Sequence, residues 1–127
     1  MKGLSAWFFG SALIYALVGL VFGLVVNPIG GHDQIPTHAH LMEVGWVSFA
    51  IFGLFYHLFP ERAAAPLAVL HFWVAQLSLI ALVIGFYLLF SGFIPLGEPI
   101  VIVASIGYLV SMVIFVLVAL PVLRRAA

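Results

Sequence analysis

Four long apolar runs, separated by short polar interruptions, organise the chain. The first extends from Leu4 to Val26 and is broken only by glycines, serines and Tyr15. Asn27 and Pro28 stop it, and the stretch from Gly30 to Thr37 carries His32, Asp33 and Gln34. The second run, His38 to Phe59, ends at Pro60. A turn, Glu61 to Pro66, contains Arg62. The third run covers Leu67 to Phe90 and is interrupted by Ser91 to Glu98. The fourth, Pro99 to Leu120, ends at Pro121, with Arg124 and Arg125 beyond it. Each run is about 22–24 residues long, enough to cross a hydrocarbon core of ~30 Å at 1.5 Å per residue.

In lipid every backbone polar group must be satisfied within the segment, so the runs are expected to be helices. Short connections make consecutive helices antiparallel neighbours. The predicted fold is therefore all-α: a single domain over 1–127, a bundle of four transmembrane helices at about 4–26, 38–59, 67–90 and 99–120. The first run is longer than the ~7–15-residue core of a signal peptide and lacks an A-x-A cleavage site, so it reads as a retained helix.

Composition agrees. Apolar residues make up 66% of the chain and charged residues 6%, against about 25% charged in soluble domains. Four cations balance four anions, so there is no basic patch for nucleic acid. Lys2, Arg62, Arg124 and Arg125 fall at the N-terminus, the second connection and the C-terminus, and the first and third connections hold no cation. The positive-inside rule then places both termini in the cytoplasm. The expected location is the cytoplasmic membrane, with the loops 27–37 and 91–98 outside. Cysteine is absent, which removes thiolate metal sites and cysteine nucleophiles.

Five histidines outnumber either sign of charge. His32, His38 and His40 gather at the outer end of the second run. Glu43 lies one turn below His40 on the same face, and Thr37 stands as a candidate N-cap. His57 and His71 gather at the inner end, three residues before Pro60 and five after Pro66. Their depths differ by only about 3 Å, so their rings either meet across the hairpin or point apart. His40 and His57 are about 25 Å apart along a helix, so the two groups are separate. Ionisable groups within a span are costly and point to function. Glu43, two turns deep, is expected to be a ligand, a proton relay, or a buried acid bonded to a neighbouring helix. Neutral imidazole is a good ligand for haem iron, copper and zinc. Candidate cofactor ligands are His38, His40, His57 and His71; candidate metal ligands are His32, His38, His40 and Glu43. Met42 and Met112 read as packing residues. Gly19 and Gly23 form a G-x-x-x-G pair that permits close helix approach.

The segment from His38 to Pro60, HAHLMEVGWVSFAIFGLFYHLFP, resembles the second transmembrane helix of haem-copper oxidase subunit I, especially in the cbb3-type and nitric-oxide-reductase branches. That helix carries a histidine at its outer end, an apolar body with a Phe-Gly pair, and aromatics with a proline near the inner end. His71–Phe72–Trp73 is similar to the opening of that family's next helix. The chain as a whole resembles short four-helix proteins of the subunit I-like kind. The resemblance implies that His38, or His40 in the neighbouring register, binds haem b. It does not extend to the later helices that carry the second haem ligand and the copper ligands, so oxygen reduction is not implied.

Three functions are therefore expected to compete. The leading one is a membrane protein that binds haem b, or copper, iron or zinc, through its histidines, for electron transfer or for handling a gas or redox ligand. The second is a metal-dependent membrane enzyme built on the outer His/Glu cluster. The third is a non-catalytic membrane subunit or scaffold. A chain this small, surrounded by lipid, is expected to act as a homo-oligomer or within a larger redox complex.

Overall fold

The computed structural model describes the backbone of residues 1–30 and 32–126 and the side chains of residues 1–26 and 33–125. Among the described residues there is no strand, and four helices are long and apolar enough to cross a membrane. They are α1 (Leu4–Gly30), α2 (Ile35–Leu58), α3 (Pro66–Phe90) and α4 (Ile94–Ala126). The chain is thus an all-helical, multi-pass membrane protein.

The fourth predicted run falls short at both ends, because the prolines that bound it do not stop the helix. Pro99 and Pro121 lie inside α4. The turn before it forms at Ser91–Gly92 instead. Gly92 has φ +94°, and the Phe93 N–H reaches back to the Leu88 carbonyl at 2.9 Å. This is the glycine-terminated ending that satisfies the last carbonyls of a helix. Pro28, likewise, does not end α1, which continues to Gly30. Prolines are tolerated in spanning helices where other groups re-satisfy the freed backbone. Near Pro121, Arg62 Nε donates to the Val118 carbonyl at 3.0 Å.

The connection between α2 and α3 follows proline chemistry closely. Phe59 leaves the helical region (φ −123°, ψ 69°) just before Pro60, and Ala65 is extended (φ −72°, ψ 140°) just before Pro66, as steric contact with the proline ring demands. A single turn, Pro60–Ala63, bridges them.

α2 is not a uniform helix. It opens as an α-helix over Ile35–His40, widens to a π-helix over Leu41–Val47, and returns to α over Ser48–Leu58. Thr37 is not its N-cap. The cap position is Gln34, with no capping side chain. Thr37, buried one turn inside, donates through its hydroxyl to Gln34 Oε1 at 2.7 Å.

Glycines let α1 and α2 come together. A Cβ on Gly53 would stand 2.9 Å from the Phe9 backbone nitrogen, one on Gly45 2.9 Å from Tyr15, and ones on Gly19 and Gly23 2.6 Å from Met42 Sδ and 2.8 Å from His38 Cε1. The G-x-x-x-G pair is therefore filled by the chain's own second helix. α3 and α4 pack the same way: Gly85 and Gly97 lie against Val101 and Leu89.

The α1–α2 and α3–α4 pairs meet through large side chains in the half nearer the turn between α2 and α3. Phe8, Phe49, Phe52, Tyr56 and Phe72 are buried there, with Phe115 of α4 packed against them. Polar ties close each end. Arg62 reaches α4 at the end that carries the turn between α2 and α3. At the opposite end the Gln34 amide donates to the Tyr87 carbonyl at 3.2 Å and to Ser91 Oγ at 3.0 Å.

Candidate functional site

His38 and His40 share a turn of α2 but turn to different neighbours. His38 lies over Gly19 and Gly23 of α1, with Nδ1 2.9 Å from the Gly19 carbonyl. His40 packs on Phe86 of α3, ring centroids 4.4 Å apart, and its Nδ1 is 2.8 Å from the Pro36 carbonyl. A carbonyl oxygen only accepts, so each Nδ1 carries the proton and donates. In the neutral ring Nε2 then holds a lone pair, and no partner occupies it among the described residues. Ligating histidines are commonly fixed in this way, with the second ring nitrogen donating to a backbone carbonyl. The donor chemistry of both residues thus fits an imidazole ligand of haem or metal. Residues two apart on a helix are rotated by about 200°, so the two rings do not serve one face.

Glu43 departs from the expectation of a buried acid. It lies in the π segment with its side chain exposed on the outside of the bundle. A π turn adds a residue without advancing the helix by a normal step, which changes the facing of the residues beyond it. The Glu43 carbonyl is the structurally engaged part, accepting from both Ser48 N–H and, at 2.9 Å, Ser48 Oγ. The side chain of His32 lies outside the described residues. Among the described residues, no group of three or more His, Asp and Glu side chains converges to hold a metal ion.

Beside the turn between α2 and α3, His57 and His71 point apart. His57 is exposed and borders a shallow groove with Lys2, Ser5, Pro60 and Ala64. His71 is completely buried. Its Nδ1 is 3.0 Å from Tyr56 Oη. Phe8, Phe52 and Phe115 surround its ring at centroid distances of 4.9, 4.7 and 5.2 Å. Its Nε2 is buried without a partner. A haem plane on that nitrogen would have to displace these aromatic rings, so the packing suits a structural histidine better than an open ligand.

An apolar groove of about 450 Å³ runs along the C-terminal half of α1, lined by Leu17, Val18, Val21, Phe22, Val25 and Val26. Its centre lies roughly 130° around a helical wheel from Gly19 and Gly23, so it faces mainly away from His38.

Several polar residues that organise the bundle carried no signal as functional candidates. Tyr56 is an aromatic among many in the second run until its hydroxyl meets His71. Gln34 sits in a stretch that reads as loop, although its i, i+3 spacing to Thr37 is the spacing of side chains that meet on a helix.

The arrangement defines a four-span helical membrane protein with two carbonyl-anchored histidines near one end. Compared with known proteins, the chain matches no protein-family profile, no curated protein and no solved structure.

Proposed function

We propose that this protein binds haem b through Nε2 of His38 or His40, as a carrier of electrons or a receptor of a gas or redox ligand. The observation that carries the reading is the pair of Nδ1–H···O=C contacts, which leaves a ligand lone pair on each ring. Support also comes from the resemblance of His38–Pro60 to the haem-bearing second helix of oxidase subunit I. Haem needs only one or two protein ligands, whereas a copper or zinc ion needs three or four converging donors, and the described residues bring no such group together. In this reading a second protein ligand to the haem would come from another copy of the chain or from a larger redox complex.

The topology that accompanies this reading is an antiparallel bundle in the cytoplasmic membrane. Both termini and the Arg62 turn face the cytoplasm, and the histidine pair lies near the outer face. The pairing of Gly53 with Phe9, Gly45 with Tyr15 and Gly23 with His38 supports the antiparallel arrangement of α1 and α2. The distribution of the four cations supports the orientation.

A second reading has its own observation. His38, His40 and His71 each make a hydrogen bond inside the chain, which is also what a non-catalytic scaffold would show. An absorption spectrum and metal analysis of untagged protein purified from the membrane separates the two. A Soret band that is lost in His38→Ala or His40→Ala supports haem. Colourless protein with stoichiometric copper, zinc or iron replaces haem by a metal ion. Colourless, metal-free protein that remains so after incubation with haemin leaves the scaffold.

A further inference from the structure

The groove beside His57 measures about 550 Å³ and opens where the start of α1 meets the end of α2 and the turn beyond it. Its hollow follows from the sequence. Gly3, Ala63 and Ala64 line it with almost no side-chain bulk, and Tyr56 beneath them is turned inward, 1% exposed and bonded to His71. Two lining residues present polar groups to the surroundings, Lys2 and His57, and both are exposed. Ser5 is already engaged, since its hydroxyl donates to the Lys2 carbonyl at 2.9 Å. That bond, with the left-handed conformation of Gly3 (φ +58°), ties the Lys2 backbone to the first turn of α1. Lys2 is thus a fixed part of the groove and not a free tail.

Charge and depth indicate what the groove suits. None of the described residues that line it is acidic. The whole end of the bundle shares this sign: Lys2, Arg62, Arg124 and Arg125 stand there against one acid, Glu61, while Asp33 and Glu98 belong to the opposite end. A second copy docking here would bring like charges together, which is unfavourable. Leu4 begins α1 and Leu58 ends α2, so the groove lies where the hydrocarbon core gives way to headgroups. A small anion in water would match the ammonium and the imidazole N–H but would leave the apolar walls, Leu4, Pro60 and Ala63, without a function. A phospholipid uses both, because its phosphate meets the donors and its glycerol and upper chains meet the walls. Basic pockets between spanning helices recognise anionic headgroups by this combination.

We propose that the groove holds the headgroup of one anionic phospholipid, with Lys2 paired to the phosphate and His57 donating to it. The site is independent of the haem reading and needs no cofactor.

Native mass spectrometry of the full chain, released from non-ionic detergent and titrated with phosphatidylglycerol or with phosphatidylcholine of the same chains, tests it. The first phosphatidylglycerol is expected to bind several-fold more tightly than the first phosphatidylcholine. One cation beside an anionic lipid contributes about five-fold, so Lys2→Gln should weaken the first phosphatidylglycerol by that factor. Arg124→Gln combined with Arg125→Gln removes two charges from the same end but outside the groove, and should leave that affinity nearly unchanged. Equal binding of the two lipids overturns the proposal, as does Lys2→Gln that binds like the unmodified protein. A loss in the double arginine variant as large as in Lys2→Gln also overturns it, because the attraction would then be diffuse. Lys2 also guides insertion, so Ala64→Glu is the second probe: it sets a carboxylate in the groove at an exposed position and should weaken phosphatidylglycerol at least as much. Unchanged binding in that variant refutes the site even if Lys2→Gln does not insert. Haem content has no bearing on any of these outcomes.

Discussion

Gly23→Ala is the substitution that most directly tests how His38 is held. The new methyl carbon would stand 2.8 Å from His38 Cε1 and 3.0 Å from Nδ1. Carbon atoms pack comfortably at about 3.5 Å or more, so the ring must retreat by roughly 0.7 Å. The Nδ1···Gly19 O contact is now 2.9 Å. A retreat of that size in the bond direction stretches it beyond the range of a hydrogen bond. The net loss is about 0.5–1.5 kcal/mol for the bond, plus residual crowding. Gly10→Ala is the matched control, because nothing lies within 4 Å of its added carbon. It gains only the helix preference of alanine over glycine, up to about 1 kcal/mol. Gly23→Ala gains the same preference, so the two variants should differ by the bond and the crowding alone, about 0.5–1.5 kcal/mol or slightly more in unfolding free energy. Reversible unfolding in mixed detergent micelles measures this difference. In the haem reading, Gly23→Ala should also lower haem retention while Gly10→Ala does not. Equal stability and equal haem content in the two variants would refute the account of His38 as a ring seated on the glycine pair. A change in oligomeric state with unchanged stability would instead assign Gly19 and Gly23 a role between chains.

The remaining predictions address packing and the outlying acid. Tyr56→Phe leaves His71 Nδ1 buried without its partner and should destabilise by about 1–3 kcal/mol, whereas Tyr56→Phe combined with His71→Leu should recover most of that loss; denaturation of the four proteins of this cycle checks it. Gly53→Ala should be more harmful than Gly23→Ala, because its added carbon meets the Phe9 backbone nitrogen at 2.9 Å and the Ser5 carbonyl at 3.1 Å, and backbone yields less than a side-chain tip; the unfolding midpoints rank the two. Glu43→Gln should leave the fold intact and raise stability in bilayers, since an exposed carboxylate within a span carries an unfavourable transfer energy. Loss of stability in that variant would mean that the carboxylate is covered by a partner it bonds to.

The spans were legible because lipid imposes one dominant constraint. A run such as Leu67–Phe90 has no alternative to a helix, and α3 matches it within a residue. Helix ends were less legible, because proline has two meanings. Pro60 and Pro66 terminate helices, since the residues before them adopt non-helical conformations. Pro28, Pro99 and Pro121 sit within helices whose neighbouring turns supply the lost stability. The stop before α4 was set by Gly92, one glycine among twelve in the chain, and its positive φ, shared with Gly3 among the described residues, is a property of the fold that composition does not show.

The histidine sites show a finer division. Position along a helix comes from counting residues, so the separation of His38 and His40 from His57 and His71 was readable. Rotation about the axis depends on where the neighbouring helix lies and on local winding, which no count provides. The π segment over Leu41–Val47 is the clearest case. It falls between the histidine pair and the rest of α2, so a wheel drawn at a uniform 3.6 residues per turn misplaces Glu43 relative to the core. The same rotation explains why His71 is buried in an aromatic enclosure while His57, at similar depth, faces outward. Titratable side chains alone also pointed to only part of the polar interior. Tyr15, Ser48, Tyr56 and Tyr108 are individually ordinary in an apolar helix. They become informative once the helices place them: Tyr56 against His71, Ser48 on the Glu43 carbonyl, and Tyr15 and Tyr108 with hydroxyls buried without a partner. In a bundle with 6% charged residues, the polar contacts that fix one helix against another therefore fall to hydroxyl, amide and imidazole groups. Of the groups that do this here, the imidazoles of His38 and His40 are those that retain a lone pair suited to a metal centre.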